Sequence, residues 1–307
     1  MSFSWVKLGC IFDPTSRTPH PKLRTHAANP LPVHIGGNLF RIYYSGRDDE
    51  GRSSVGGIDF DIVTRTIIKD FKEPFFEHGP KKSFYANGVS VGCVYRASST
   101  LYMTFMGWQS PSDGHWRGDI GRLIVEADLT LELDCDRPLL SSDPVDPISL
   151  SYPWILGDEV DGYTMWYGST HTWDAGNGEM LHVINRATSS DGQSWMRHGL
   201  GVPFILNVAQ AFSRPTVVPS LTAGYDMWFS YRSGSGQKYR IGYAHSLNLV
   251  DWKLDANGSG IDVSSDGWDS EMIEYPYVFD HNNDRYMIYN GNGYGRTGFG
   301  LAKLIRK

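Results

Sequence analysis

The segment Ile273-Glu-Tyr-Pro-Tyr-Val-Phe279 sets one carboxylate, Glu274, among apolar and aromatic neighbours, where a charge is costly unless it is paired or used. Asp48, in Gly46-Arg-Asp-Asp49, and Glu271 are candidates to work with it, followed by Asp174. An acid and a base of this kind move protons during bond cleavage. Each also has a structural reading: Asp48 follows a strand-like run and suits a turn, and Glu271 suits an ion pair with Arg214. His26 and His182 are either acid–base groups or hydrogen-bonded residues of inner strands. Arg24, Arg47, Arg214 and Arg232 carry forked donors that match carboxylate or phosphate; the same arginines could instead support Asp48, Asp174 and Glu271 internally. Trp108, Trp173, Tyr231 and Tyr294 offer platforms for sugar rings, and Asn29 and Asn292 offer amides.

A fivefold repeat gathers these residues. Aligned on Pro30, Val89, Pro153, Pro215 and Pro276, the repeats are spaced by 59, 64, 62 and 61 residues. An apolar run follows each anchor, and within it Ile42, Met103, Met165, Met227 and Met287 recur at intervals of 61, 62, 62 and 60. Short strands repeating at such a period denote propeller blades, because no single repeat can bury its own apolar face. Each repeat reads as four antiparallel strands, the first beginning at the anchor. The fifth stops after three, near Thr297-Gly-Phe-Gly-Leu-Ala302, and the strand from Trp5 to Phe12 supplies the fourth, removing two open edges. Strand alternation then places the segment before each anchor and the loop after each second strand on one face, near the axis. That face pools Arg24, His26, Asn29, Arg47 and Asp48 with Trp108, Tyr152, Trp173, Arg214, Arg232, Glu271, Glu274 and Asn292.

The Glu274 segment, taken with all five repeats, resembles the five-bladed β-propeller glycoside hydrolases, a group that includes the invertase and levansucrase families, the arabinanase and xylosidase families and the mannoside phosphorylases. The resemblance implies a central pocket in which one carboxylic acid protonates the leaving glycosidic oxygen. A second carboxylate serves as nucleophile or general base, and a third, an Asp, tunes the acid. It implies that the acid stands two residues before the blade's proline, where Glu274 stands, and that the two Asp residues stand directly before theirs. Those positions hold Asn29, Gly88, Tyr152, Arg214 and Tyr275, none of them a carboxylate. An amide is no base at neutral pH, and arginine is a permanent cation. Either a neighbouring loop supplies the second carboxylate, Asp48 first, or the pocket binds ligand or does different chemistry.

The bulk numbers agree with this architecture. The 34 Gly, 14 Phe, 10 Trp and 17 Tyr suit many short strands and tight turns. A net charge of −6 argues against a duplex nucleic acid partner. Cys10, Cys93 and Cys135, odd in number and at no metal-ligand spacing, read as reduced thiols. With no signal-peptide pattern and no apolar run of membrane-spanning length, a soluble, cytoplasmic protein is expected. The expected fold class is all-β, a single five-bladed β-propeller with blades at 26–83, 84–148, 149–210, 211–269 and 270–307, the last closed by strand 5–12. The expected function is glycoside hydrolase-like action on a glycan or sugar conjugate, anionic if the arginines face the ligand, with Glu274 as proton donor. The alternatives are transferase, phosphorylase-like or lyase-like action on an anionic or nucleotide-linked sugar in surface polysaccharide metabolism, or a non-catalytic sugar-binding propeller. No cofactor is expected, although Asn-rich loops could hold a structural Ca²⁺ near the axis, without any EF-hand-like ligand spacing.

Overall fold

The computed structural model describes residues 3–16, 18–112, 114–234 and 236–305. A strand β1 (Trp5–Phe12) precedes the first unit, β2 (Thr25–Gly36), β3 (Leu39–Arg47), β4 (Ser53–Asp61) and β5 (Thr66–Asp70). The second unit is β6 (Gly88–Ala97), β7 (Thr100–Gln109), β8 (Arg117–Val125) and β9 (Leu131–Leu133). The third is β10 (Ser149–Asp158), β11 (Gly162–Thr172), β12 (Leu181–Ser189) and β13 (Met196–Leu200). The fourth is β14 (Ala211–Pro219), β15 (Tyr225–Arg232), β16 (Arg240–Ser246) and β17 (Trp252–Asp255). The last holds β18 (Glu274–His281), β19 (Asp284–Asn290) and β20 (Phe299–Leu304), with a single helical turn α1 (Asn292–Gly295) between the final two. Within each unit consecutive strands pair antiparallel, and β1 pairs antiparallel with β20, so the N-terminal strand completes the last sheet.

The repeat's periodic residues are its buried ones. Ile42, Met103, Met165, Met227 and Met287, all on second strands, are fully buried between sheets, each contributing roughly 1.5–3 kcal/mol of apolar burial. The first strands touch in cyclic order, β2 to β6, β6 to β10, β10 to β14, β14 to β18 and β18 back to β2. Ion pairs tie the rim: Lys7 of β1 reaches Asp269 at 2.8 Å.

First strands do not begin at their anchor prolines. They start several residues earlier and pass a bulge there, with register shifts between Ala28 and Leu31, Ser151 and Trp154, Ser213 and Thr216, and Glu274 and Tyr277. Proline, which cannot donate to a ladder, is tolerated at such bulges. The residue just before each proline is left-handed, with φ of 55° at Asn29, 37° at Tyr152, 45° at Arg214 and 52° at Tyr275. A non-glycine there, before proline, is strained, and the four occur at equivalent places. The second unit has no anchor proline and carries Gly88 instead, where a Cβ would meet Ser53 Oγ at 2.1 Å and Trp108 Nε1 at 2.2 Å.

Candidate functional site

A cavity of about 650 Å³ opens where units one to five meet, lined by Arg47, Trp108, Trp173, His182 and Arg232 of the residues expected from sequence. Trp108 is fixed by its Nε1 donating to Ser53 Oγ at 2.9 Å. Trp173 stacks on His115, with centroids 4.4 Å apart, and meets Trp116 edge-on at 5.2 Å. His182 is buried between hydroxyls: Ser151 Oγ lies 2.7 Å from its Nε2 and Thr170 Oγ1 lies 2.7 Å from its Nδ1. Burial, then the charges of His171 and Arg232, push its pKa down to about 3. It is therefore a neutral, hydrogen-bonded ring and a poor base at neutral pH.

The arginines separate into different roles. The Arg47 side chain lines the cavity, and its guanidinium has no hydrogen bond or ion pair among the described residues. Arg232 donates from Nη2 to Glu179 Oε1 at 2.9 Å and lies over the Tyr239 ring at 4.7 Å, while its buried Nε has no partner among the described residues. Arg24 is exposed, does not line the cavity and pairs with Asp49. Arg214 is buried and also does not line it. Its guanidinium donates to the carbonyls of Pro30 at 2.8 Å, Gly92 at 3.3 Å and Tyr275 at 3.3 Å, thereby joining β2, β6 and β18. Burial pulls its pKa down to about 10, with the tyrosines around it acting the other way, so it stays charged near neutrality. The expectation that Arg214 binds ligand, or pairs with Glu271, is corrected: the axis holds this cation on carbonyl dipoles. No cluster of three or more His, Cys, Asp or Glu suited to a metal occurs among the described residues.

Glu274 is fully buried one layer behind the cavity surface, and neither carboxylate oxygen has a hydrogen-bond partner among the described residues. Its charge acts on Tyr152, Tyr239, Tyr275 and Tyr294, all of which line the cavity. Burial raises its pKa well above the ordinary 4.5, although the Arg232 and Arg47 charges and the nearby Tyr294 backbone N–H oppose the rise. The tyrosines are held close, Tyr152 and Tyr275 hydroxyls being 3.5 Å apart. Tyr294 reaches the wall from a left-handed residue of α1 with φ 61°.

The partner carboxylates expected from sequence lie elsewhere. Asp48 closes a turn: its Oδ1 accepts the N–H of Glu50 at 3.0 Å and of Arg52 at 2.8 Å, and its Oδ2 accepts Arg52 Nε at 2.8 Å. Burial alone would raise its pKa, but the Arg52 bonds prevail and hold it below the usual value. Glu271 is exposed outside the cavity, and Asn292 Oδ1 accepts its backbone N–H at 2.8 Å. Asn292 is thus a brace of the last unit. Asn29 is buried beside Asn290, whose Oδ1 accepts its N–H at 2.8 Å. His26 sits off the cavity with Nδ1 at 2.9 Å from Thr25 Oγ1, its pKa lowered to about 4 by burial and then by Arg47 and Arg296. Asp174 staples its own loop, Oδ1 accepting the N–H of Gly176 at 2.8 Å and of Gly178 at 3.0 Å.

Glu179, at the end of that loop, is the carboxylate that reaches the cavity wall among the described residues. Position relative to the anchor prolines gives it no distinction. Its available signal was the loop itself, Asp174-Ala-Gly-Asn-Gly-Glu179, whose glycines and Asx turn fold it back over the axis.

No family model matches the chain. Two Mycobacterium tuberculosis proteins, the uncharacterized protein Rv1502 of strain H37Rv and the uncharacterized protein MT1551 of strain CDC 1551 / Oshkosh, are each 43% identical to it over 303 residues, covering 98% of this chain and 99% of the relative. Among solved structures, a glycoside hydrolase superposes with a TM-score of 0.74 at 15% identity, over 98% of this chain and 92% of its own. A complex of BT0996 with RGII gives 0.71 at 15% identity, over 98% and 92%. An exo-1,5-α-L-arabinanase from a bovine ruminal metagenomic library gives 0.63 at 13% identity, over 94% and 95%. At these identities the likeness is one of fold, and it runs nearly the full length of the chain.

Proposed function

The chain belongs to the family of those two mycobacterial proteins and has the fold of the propeller glycoside hydrolases, and from that premise we propose that it is a carbohydrate-active enzyme of glycoside hydrolase type. In this reading five blades surround the cavity, a sugar ring lies against the Trp108 and Trp173 walls, and Glu274 gives its proton to the leaving oxygen. The observation that carries the reading is Glu274 itself. A carboxyl group buried without a partner, and pushed toward its neutral form, is an acid held ready to donate. The four tyrosines and two arginines around it offer directed donors for the charge that develops as the bond breaks.

The free guanidinium of Arg47 and the unpartnered Nε of Arg232 favour an acidic or phosphorylated sugar over a neutral one, since forked donors facing a cavity match carboxylate or phosphate oxygens. One panel tests both parts. Aryl glycosides and glycans, each neutral sugar beside its uronic acid or phosphate ester, are scored for binding and turnover with wild type, Glu274→Gln and Arg47→Ala. Glu274→Gln is expected to fold normally and lose about 10²–10⁴-fold in turnover, least with activated leaving groups that need no proton. Arg47→Ala is expected to weaken the charged member of each pair and spare the neutral one. Full turnover in Glu274→Gln contradicts the donor assignment, and tight binding without turnover by wild type favours a binding propeller.

A further inference from the structure

We propose that Glu179 is the second catalytic carboxylate, working opposite Glu274 and coupled to it through Arg232. The inference rests on the glycoside hydrolase reading and supplies the base that the positions before the anchor prolines lack. Three observations converge on it. Glu179 is the carboxylate on the cavity wall among the described residues, and it is nearly fully buried. It is held rigidly: Oε1 accepts both Arg232 Nη2 and the Met180 N–H at 2.9 Å, so the second oxygen stays uncommitted. Its loop is stapled by Asp174, and the Ala175 N–H donates to the Glu179 carbonyl at 2.8 Å. Arg232 is the shared element, ion-paired to Glu179 while its charge also acts on Glu274. Two carboxyl groups, one ion-paired and one buried unpaired, are the environment that divides base from acid.

The step balances without any further reactant. Glu179 takes a proton from a water molecule whose oxygen bonds to the anomeric carbon. The bond from that carbon to the leaving oxygen breaks, its electron pair remains on that oxygen, and the Glu274 proton passes to it. A free sugar and a free alcohol result; solvent then removes the proton from Glu179 and returns one to Glu274.

The test has a kinetic arm and an arm that needs no substrate. On the best aryl glycoside of the panel, Glu179→Gln is expected to lose about 10²–10⁴-fold in turnover. Glu179→Ala is expected to recover turnover with sodium azide, yielding a glycosyl azide, which a merely structural role would not do. Glu271→Gln, remote from the cavity, is expected to match wild type. In the second arm, protein labelled with ¹³C at glutamate carboxyls is titrated by NMR, the Glu274 signal being identified by its loss in Glu274→Gln. Around Glu274 stand Arg47 from β3, Arg232 from β15, Tyr152 from β10, Tyr275 from β18, Tyr239 from the loop before β16 and Tyr294 from α1. Of the charges these present, Glu179→Gln frees that of Arg232, so the Glu274 midpoint is expected to move down. A wild type inert on every glycoside contradicts the hydrolase reading, and the titration then still decides the coupling. Wild-type turnover in Glu179→Gln, or an unmoved Glu274 midpoint, overturns the assignment of Glu179.

Discussion

Glu274 destabilises the fold that carries it at neutral pH, and the sign of that effect is measurable. Its pKa in the folded chain is raised well above 4.5, so as pH climbs past that value the unfolded chain releases the proton first. The unfolded state then binds fewer protons than the native one, and stability falls with rising pH until the folded group also ionises. Glutamine cannot titrate. The stability of Glu274→Gln relative to wild type is therefore expected to grow from pH 4 to pH 8 in urea denaturation; a constant or shrinking difference contradicts the buried neutral acid. Among single residues, Glu274 stood out in the sequence as a carboxylate among aromatics, and the structure buries it there. Asp48 and Asp174 misled because an aspartate after a strand serves a turn as well as it serves a ligand. Glu179 was less legible because its signal lies in the Asp174–Glu179 loop and not in its position within the repeat.

At the scale of elements, sequence periodicity was a reliable guide because it records burial. The residues recurring near every 61 positions are the fully buried ones of the second strands, and a pattern set by packing must show in the chain. The bulges were not legible, since a left-handed residue before proline runs against local preference and is imposed by the sheet. The closing strand was legible as a missing element. β1 packs Trp5 and Phe12 into the interior, and Trp5 Nε1 donates to the Ser259 carbonyl at 3.0 Å. Deleting residues 1–12 would open the edge of β20 and strip one face of the last sheet. Insoluble or unfolded protein is the expected outcome by circular dichroism and sedimentation, and a soluble truncation with the native spectrum would refute the role of β1.

For the whole molecule, the first strands meet around an axis that is filled by the Arg214 cation and flanked by a buried carboxyl group, Glu274, whose pKa is raised. Arg214 has no carboxylate counter-ion among the described residues; three carbonyls and the Tyr277 ring, 5.7 Å away, take that place. Such a guanidinium fastens three units to one another, which accounts for a buried arginine before the proline of the fourth unit. With that position given to structure, the proposed acid–base roles rest on the cavity wall and the layer behind it. Everything then turns on whether Glu274 is neutral under working conditions. The direct measurement is the infrared difference spectrum between wild type and Glu274→Gln at pH 7. A protonated-carboxyl C=O band present in wild type and lost in the variant is expected; carboxylate stretching bands in its place would contradict a proton donor at Glu274.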